Sequence, residues 1–287
     1  MIEIVKHYRK NDALRASFNA LADATFGLNF ENWYQNGFWT DAYDPYSILE
    51  DGKIVANVSL NRTDFVMDGE RKRIYQLGTV MTYPEYRNRG YIRRLMAEIE
   101  KDTADGDGMY LFGSDSVVEF YPKFGFRKGV EHIYSREVSQ DGACAMVPVP
   151  MNGPAGWAQL QQAMELGENL SAWAMVDNPG LFFFYVAQFM QECVYQEPNR
   201  NIWAIAELEN GELRLHNVFA PQDVTMEDVI AAFGHHVKKV TLGFAPKDTA
   251  GFDVAPWHEE DCNFFVKGQL FADFAEAKLR IPSLSHA

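Results

Sequence analysis

The chain has 287 residues, 47% hydrophobic and 14% aromatic, which is enough for one large domain or two ordinary ones and excludes a disordered chain. Its net charge of −14 disfavours binding to DNA or RNA, because nucleic-acid phosphates would be repelled. The charged start MIEIVKHYRKND lacks the pattern of a signal peptide, no run approaches about 18 apolar residues, and the three cysteines are widely spaced, so we expect a cytoplasmic protein without a membrane span.

The first elements along the chain are predicted to be two helices followed by an antiparallel meander. Asn11 can cap a helix that buries Leu14, Phe18 and Leu21, and a short helix is predicted at residues 30–38. Two Asp-Gly pairs then separate apolar runs, which is a strong hairpin signal. The three strands of the meander are therefore expected at residues 46–50, 53–66 and 74–83.

The run LGTVMTYPEYRNRGYIRRLM, residues 77–96, predicts a strand, a turn, a basic loop and an amphipathic helix. A helix N-terminus leaves backbone N–H groups unpaired and carries a partial positive charge, so a loop that leads directly into one suits phosphate. Gly90 has no Cβ and tolerates positive φ, and Arg87 and Arg89 add full positive charges. The site is neither a P-loop nor a dinucleotide loop, because Lys-Ser or Lys-Thr does not follow the glycine and the G-x-G-x-x-G spacing is absent.

This loop resembles the acetyl-CoA signature of the GCN5-related N-acetyltransferase (GNAT) superfamily, written R/Q-x-x-G-x-G/A. A second segment, FYPKFGF at residues 120–126, resembles the family's F/L-Y-x-K-x-G-F element, in which a tyrosine lies beside the thioester sulfur. The resemblance covers residues 1–138, and the run GYIRRLM is similar to the multi-domain enhanced-intracellular-survival-like subgroup. The first signature is carried by Arg87, Asn88, Arg89, Gly90, Tyr91 and Ile92.

The resemblance implies a GNAT fold of the α/β (α+β) class, with a mixed, largely antiparallel sheet whose strands splay apart after the meander. The pantetheine of acetyl-CoA would enter the gap between the splayed strands. After the signature helix, the sequence itself predicts a strand at 109–112, a short helix at 117–123 and a final strand at 132–138. That order of elements agrees with the acetyltransferase order.

By the same resemblance, the backbone around Val80, Met81 and Thr82 pairs with pantetheine, while residues 87–92 take the pyrophosphate. Tyr121 is the candidate general acid. An unperturbed tyrosine titrates near about 10, so a positioned hydroxyl can protonate the departing CoA thiolate without being consumed at neutral pH. A tyrosine that merely packs at the strand end is the alternative interpretation.

Two positions depart from the family pattern. Ile92 stands where Gly or Ala is usual and is expected to crowd the first helical turn, and Ser114 stands where many members have an Asn that contacts pantetheine.

The general base is not identified, because each nearby carboxylate is equally explained as a solvated side chain. In relatives with added C-terminal domains the terminal carboxylate, here that of Ala287, can enter the site. The other candidates are Glu85, Asp115, Glu119 and Asp64.

The second half of the chain is more acidic than the first. Residues 1–138 hold 18 Lys and Arg against 21 Asp and Glu, a charge of −3, whereas residues 139–287 hold 8 against 19, a charge of −11. This acidity suits a cationic ligand, and it is equally explained as a contribution to solubility. No cluster has zinc-ligand spacing and no G-x-S-x-G hydrolase motif occurs, so no metal is expected.

The elements of the second half repeat those of the first in a weaker form. Residues 141–154 are rich in Pro and Gly and predict a linker, and residues 220–223 (APQD) stand where the Arg/Gly loop stood. A degenerate GNAT-like unit without cofactor explains the repeated β-β-α-β order, and chance recurrence explains it equally well. The predicted elements are helices at 155–166 and 181–191, strands at 202–208 and 212–219 around Asn210-Gly211, a helix capped by Thr225, and a strand at 237–244.

The sequence thus predicts a GNAT acetyltransferase domain at 1–140, a linker at 141–154 and a smaller acidic α/β domain at 155–287. The predicted activity is acetyl transfer from acetyl-CoA to a primary amine, on a small molecule, a peptide or a protein, with neither nucleic acid nor membrane as partner. A homo-oligomer is left open. The alternative function is a non-catalytic acyl-CoA-binding module that senses or regulates.

Overall fold

The structure is a computed structural model that describes residues 2–286. Its first half begins with β1, continues with two helices and a meander, and reaches the signature helix α3. The elements are β1 (Ile2–Val5), α1 (Asp12–Phe26), α2 (Glu31–Gln35), β2 (Tyr43–Glu50), β3 (Lys53–Arg62), β4 (Asp64–Met67), β5 (Glu70–Lys72), β6 (Ile74–Thr82), α3 (Tyr91–Asp102), β7 (Gly108–Gly113), β8 (Arg127–Lys128) and β9 (Glu131–Glu137).

The second half starts with short strands and two helices and then repeats a hairpin, a helix and a parallel strand. Its elements are β10 (Val147–Pro148), α4 (Pro154–Leu166), β11 (Glu168–Asn169), β12 (Ala174–Val176), α5 (Pro179–Val186), β13 (Val194–Glu197), β14 (Ile202–Glu209), β15 (Glu212–Ala220), α6 (Met226–Ala232), β16 (Lys239–Leu242), β17 (Asp253–Trp257) and β18 (Asn263–Lys267).

Local signals explain where several of these elements begin and end. The Asn11 side chain accepts a hydrogen bond from the Leu14 backbone N–H at 3.1 Å, so α1 starts as predicted. Thr225 and Asp228 form a complete capping box at the start of α6. Both predicted hairpins at Asp51-Gly52 and Asp68-Gly69 are present, with positive φ at all four turn residues. The meander prediction is confirmed by the antiparallel pairing of β2, β3 and β6, whereas the Asp68-Gly69 turn joins β4 to β5.

Several predicted boundaries were wrong. The long strand predicted at 53–66 is split into β3 and β4, because the chain leaves the main sheet after Arg62 and forms a separate hairpin with β5. The predicted helix at 117–123 consists of two 3-10 turns, at Asp115–Val117 and Tyr121–Phe124. Part of the predicted linker is structured, since Val147 and Pro148 pair with β13.

Two large sheets carry the fold. The first has seven strands in the order β1-β2-β3-β6-β7-β18-β8. The second follows the order β10-β13-β14-β15-β16-β9-β17, with β11 paired to β15. A small three-stranded sheet, β12-β4-β5, joins the two halves. The apolar face of α3 packs on the first sheet through Leu95, Met96 and Ile99, as its periodicity predicted.

The two large sheets exchange strands. β9, which belongs to the predicted domain 1–140, pairs with β16 and β17 in the second sheet. β18 comes from near the C-terminus and takes the place beside β7 in the first sheet. Gly129 allows β18 to approach closely, because a Cβ there would lie 2.5 Å from the Phe264 ring. The sequence pattern predicted the strand at 132–138 correctly and made no prediction of its sheet.

Candidate functional site

The parallel strands β6 and β7 separate part-way along their length. They pair only from Ile74 opposite Gly108 to Leu77 opposite Leu111, while β6 continues to Thr82. Beyond Leu77, no strand of residues 2–286 pairs with this edge of β6. The backbone of Val80, Met81 and Thr82 therefore borders an open gap, and the predicted splaying of the sheet is confirmed.

A bulge in β6 shapes this edge. The register between β3 and β6 shifts between Asn57 and Ser59, and Thr79 has a φ of +42°. A non-glycine residue with positive φ is strained, so the surrounding structure must hold it. The amide nitrogen of Asn57 donates to the Thr79 carbonyl oxygen at 2.9 Å and to the Ser59 hydroxyl at 2.9 Å.

The hydrogen bonds around Asn57 form a buried network. The Ser47 hydroxyl donates to the Asn57 side-chain oxygen at 2.7 Å and is itself 2.7 Å from the Tyr8 hydroxyl. On the other side, the Thr79 hydroxyl lies 2.8 Å from that of Tyr43. Sequence analysis missed this network. The signal was present as polar residues at alternate positions of a buried strand, Asn57, Ser59 and Asn61.

The basic loop lies at the end of the gap. Gly90 is the N-cap of α3 with a φ of +77°, and no side chain caps the helix. The first backbone bond of the helix runs from the Arg94 N–H to the Gly90 carbonyl oxygen at 3.2 Å. The N–H groups of Tyr91, Ile92 and Arg93 are thus left without helical partners, which is the arrangement that binds phosphate.

Other contacts fix the conformation of this loop. The Tyr91 hydroxyl donates to a Glu50 carboxylate oxygen at 2.6 Å, and Arg89 donates to the Glu85 carbonyl oxygen at 2.9 Å. Arg87 and Asn88 are exposed. The side chain of Ile92 packs against the core under α3, so the crowding expected from its size is relieved by burial.

Tyr121 lies at the opposite side of the gap, past the end of β7. Its ring packs on Gly113, where a Cβ would lie 2.9 Å from the ring, and on Phe265 of β18 at 5.3 Å between centroids. Its hydroxyl makes no hydrogen bond to residues 2–286. Burial raises the pKa of Tyr121 to about 12, so the hydroxyl stays protonated at neutral pH and can donate to an incoming group.

Two of the remaining predicted site residues, Ser114 and Asp115, directly follow β7. Among residues 2–286, the Ser114 hydroxyl bonds only to that of Ser116, at 2.7 Å. Asp115 accepts from Asn263 at 2.7 Å, and its backbone N–H donates to Asp261 at 2.7 Å, so the loop before β18 lies beside it. Among the other base candidates, Glu85 and Glu119 are exposed, Asp64 is paired with Arg71 at 2.6 Å, and Ala287 lies outside the described residues.

The second half contains a similar gap that is already filled. β15 and β16 pair in parallel only as far as Leu215 opposite Leu242. Beyond that point, β11 pairs with Phe219 and Ala220 of β15. On its other side the same segment bonds to the chain after β16, through Ala172 N–H to Ala245 O at 2.8 Å and Lys247 N–H to Leu170 O at 2.9 Å.

Neither a metal-binding cluster nor a membrane-spanning helix is found in the part of the chain that the structure describes. Residues 2–286 contain no group of three or more His, Cys, Asp or Glu side chains placed to hold a metal ion. Within the same range, none of the helices combines the length and the apolar character needed to cross a bilayer.

Residues 8–129 match the family model of the acetyltransferase (GNAT) domain. These residues form a GNAT domain. That domain supplies the open gap, the Gly90 loop and Tyr121, which agrees with the resemblance seen in the two motifs. Among curated proteins, nothing matches the sequence.

The GNAT-like architecture extends over nearly the whole chain. A probable N-acyltransferase from Enterococcus faecalis V583 shares 16% identity, with a TM-score of 0.62 over 96% of this chain and 74% of that one. Eis1 from Mycobacterium abscessus shares 15%, with a TM-score of 0.58 over 96% and 75%. A GCN5-related N-acetyltransferase from Kribbella flavida shares 14%, with a TM-score of 0.58 over 93% and 70%. At these identities the likeness establishes a shared fold, consistent with two GNAT-like units.

Proposed function

We propose that this GNAT protein is an acetyl-CoA-dependent N-acetyltransferase that acetylates a primary amine. The observation that carries the proposal is the open gap between β6 and β7, with unpaired helix N–H groups at one side and a protonated tyrosine at the other. The filled gap of the second half supports the choice of the first as the cofactor site.

Acetyl-CoA would contact three parts of the chain: the loop around Gly90, the free edge of β6, and Ser114. The pyrophosphate would accept hydrogen bonds from the N–H groups after Gly90, with Arg87 and Arg89 neutralising its charge. The pantetheine amides would pair with the unpaired edge of β6 at Val80, Met81 and Thr82, as an added strand does. Ser114 would contribute a hydroxyl from the opposite side.

The transfer itself needs no covalent enzyme intermediate. The neutral amine nitrogen attacks the thioester carbonyl, the new C–N bond forms as the C–S bond breaks, and the amine loses one proton while the sulfur gains one. Much of the rate would come from holding amine and thioester at attack distance. Tyr121, made a weaker acid by burial, would stabilise the thiolate by hydrogen bonding and then supply the proton.

A cationic acceptor is favoured by charge. The loop HEEDC, residues 258–262, lies beside Asp115 at the end of β7 through the Asp115–Asp261 contact. Residues 139–287 also carry the larger negative charge, −11. We propose Asp115 as the base, acting directly or through water, because it lies two residues after Gly113, on which the Tyr121 ring packs, and so on the Tyr121 side of the gap.

The test is release of free CoA across a panel of primary amines, with the acetylated product identified by mass spectrometry. Turnover with at least one amine, lost in a variant that cannot bind acetyl-CoA, is the expected result. If acetyl-CoA binds tightly and no amine is acetylated, the protein is an acyl-CoA-binding regulatory module instead.

A further inference from the structure

A groove lies at the junction of the two halves, away from the gap between β6 and β7. Two cavities of about 630 and 420 Å³ adjoin there, bounded by the β4–β5 hairpin of the first half and by α4, β12 and β15 of the second. We call their union the junction groove. The cavities share four lining residues, Met164, Met175, Val176 and Phe219. A space of this size holds a small organic molecule.

Asn217 supplies the groove with an unused hydrogen-bond donor. Its residue is only 6% exposed, and its side-chain oxygen accepts from the Val218 backbone N–H and from Asn169, each at 2.8 Å. Its amide nitrogen makes no hydrogen bond to residues 2–286 and is not fully closed off from solvent, so it is open to the groove that the residue lines. A ligand acceptor can therefore take a direct hydrogen bond from this nitrogen in place of water.

The position of Asn217 corresponds to a site residue of the first half. Asn217 lies two residues after Leu215, the last residue of β15 paired with β16. Thr79 lies two residues after Leu77, the last residue of β6 paired with β7. Asn217 thus occupies the position of β15 that corresponds to Thr79 of β6. The groove adjoins the filled gap of the second half, because Glu168, Asn169 and Ala172 of the filling segment also line the groove.

The rim of the groove is acidic and its floor is apolar. Four exposed carboxylates line it; of these, Glu168 lies 3.9 Å from Lys247 and Asp177 forms an ion pair with Arg71 of the β4–β5 hairpin. The shared floor contains two methionines, whose flexible side chains adapt to different ligand shapes. The four carboxylates are those of Asp68, Glu165, Glu168 and Asp177.

We propose that the junction groove binds a small organic ammonium ion with an apolar body and a hydrogen-bond acceptor. The ammonium meets Glu165, the body lies on Met164, Met175 and Phe219, and the acceptor takes the Asn217 amide. The ligand thus touches α4, β12 and β15 of the second half, and β12 in turn pairs with β4 of the first.

The test measures direct binding without acetyl-CoA, so it does not depend on the proposed acetyltransferase activity. Isothermal titration compares three probes: 2-(4-methoxyphenyl)ethylamine, its 4-ethyl analogue, which lacks the acceptor, and 4-ethylanisole, which lacks the ammonium. The methoxy amine should bind about fivefold more tightly than the ethyl amine, the difference of one neutral hydrogen bond. It should also bind more tightly than 4-ethylanisole.

Variants then locate the site. Asn217→Asp keeps the oxygen that Val218 and Asn169 need but removes the donor, so the preference for methoxy over ethyl should disappear. Glu165→Gln should weaken both amines about two- to fivefold and leave 4-ethylanisole unchanged. The matched control is Glu209→Gln, an exposed carboxylate outside the groove. Equal binding of all three probes, absence of binding, or equal effects of the two glutamate variants would overturn the proposal.

Discussion

The amide nitrogen of Asn57 lies 2.9 Å from the carbonyl oxygen of Thr79, and this hydrogen bond joins the middle of β3 to the bulge of β6. It holds Thr79 at positive φ and thereby sets the direction of the Val80 and Met81 backbone at the gap. Asn57 thus acts through the backbone that would hold the thioester.

Replacing Asn57 by Leu should lower turnover about ten- to a hundredfold, because the bulge loses its support and the thioester its alignment. The free energy of unfolding should also fall by about 1–3 kcal/mol, since Ser47 and the Thr79 carbonyl lose a partner. Steady-state kinetics and thermal unfolding measure the two effects. Asn19→Leu is the control, because Asn19 is also buried but bonds to Phe30 and Glu31 on the α1–α2 side. Equal losses of turnover in both variants would reduce Asn57 to a stability role.

Replacing Gly90 by Asp should weaken acetyl-CoA binding by at least about tenfold, because a carboxylate would face the pyrophosphate at the helix N-terminus. Gly90→Ala is the matched control. It introduces a backbone strain at φ +77° of about 1–2 kcal/mol, at least as large as that of Asp, without charge, and Gly90 has no neighbour within 4 Å of the added Cβ. Titration calorimetry with acetyl-CoA distinguishes the two. Retained affinity in Gly90→Asp would contradict the loop assignment.

Tyr121→Phe should reduce turnover about ten- to a hundredfold while leaving the affinity for acetyl-CoA unchanged. The ring contacts with Gly113 and Phe265 survive this substitution, and the lost hydroxyl had no partner among residues 2–286, so stability should change little. Unchanged turnover would remove Tyr121 from the reaction.

The pH profile gives an independent check on Tyr121. Burial raises its pKa to about 12, above the ordinary value of 10, so the hydroxyl remains protonated up to that pH. Any alkaline decline of turnover below about pH 11 must then come from another group. Wild type and Tyr121→Phe should show the same alkaline decline of turnover. If the decline is absent in Tyr121→Phe, Tyr121 itself titrates, with a pKa below the value that its burial predicts.

Glu131 should make stability depend on pH. Burial raises its pKa from 4.5 to about 7, and the nearby Arg280 only partly opposes this. Between those two pH values the folded state binds the proton that the unfolded state has lost, so the contribution of Glu131 to stability falls as pH rises from 4.5 to 7. Glu131→Gln should remove this pH dependence of stability, which amounts to about 1.4 kcal/mol for each pKa unit. The free energy of unfolding at pH 5 and at pH 7.5 measures it. Glu137→Gln, at the exposed end of the same strand, should leave it intact.

The strand exchange predicts that residues 1–140 do not fold alone. This fragment lacks β18, whose Phe265 packs in the core against Tyr121, and it leaves β7 with an unpaired edge. Circular dichroism and amide exchange should show a disordered or aggregated fragment, and co-expression with residues 141–287 should restore the fold. An independently folded fragment would contradict the structural importance of β18.

The sequence by itself determined the elements and chemistry that depend on neighbouring residues. The Asn11 cap, the Asp-Gly hairpins, the amphipathic face of α3 and the Gly90 loop all follow from interactions within a few residues, and each is present. The two motifs also predicted that the Gly90 loop and Tyr121 border one gap of the sheet.

Only the tertiary structure decided which distant segments pair. An alternating pattern predicts that β9 is a strand, but its backbone donors and acceptors are satisfied equally well in either sheet. The exchange of β9 and β18, the Asn57–Thr79 bond and the filling of the second gap by residues 168–172 each join residues at least 22 positions apart. Such contacts follow from the packing of the whole chain, and no local pattern specifies them.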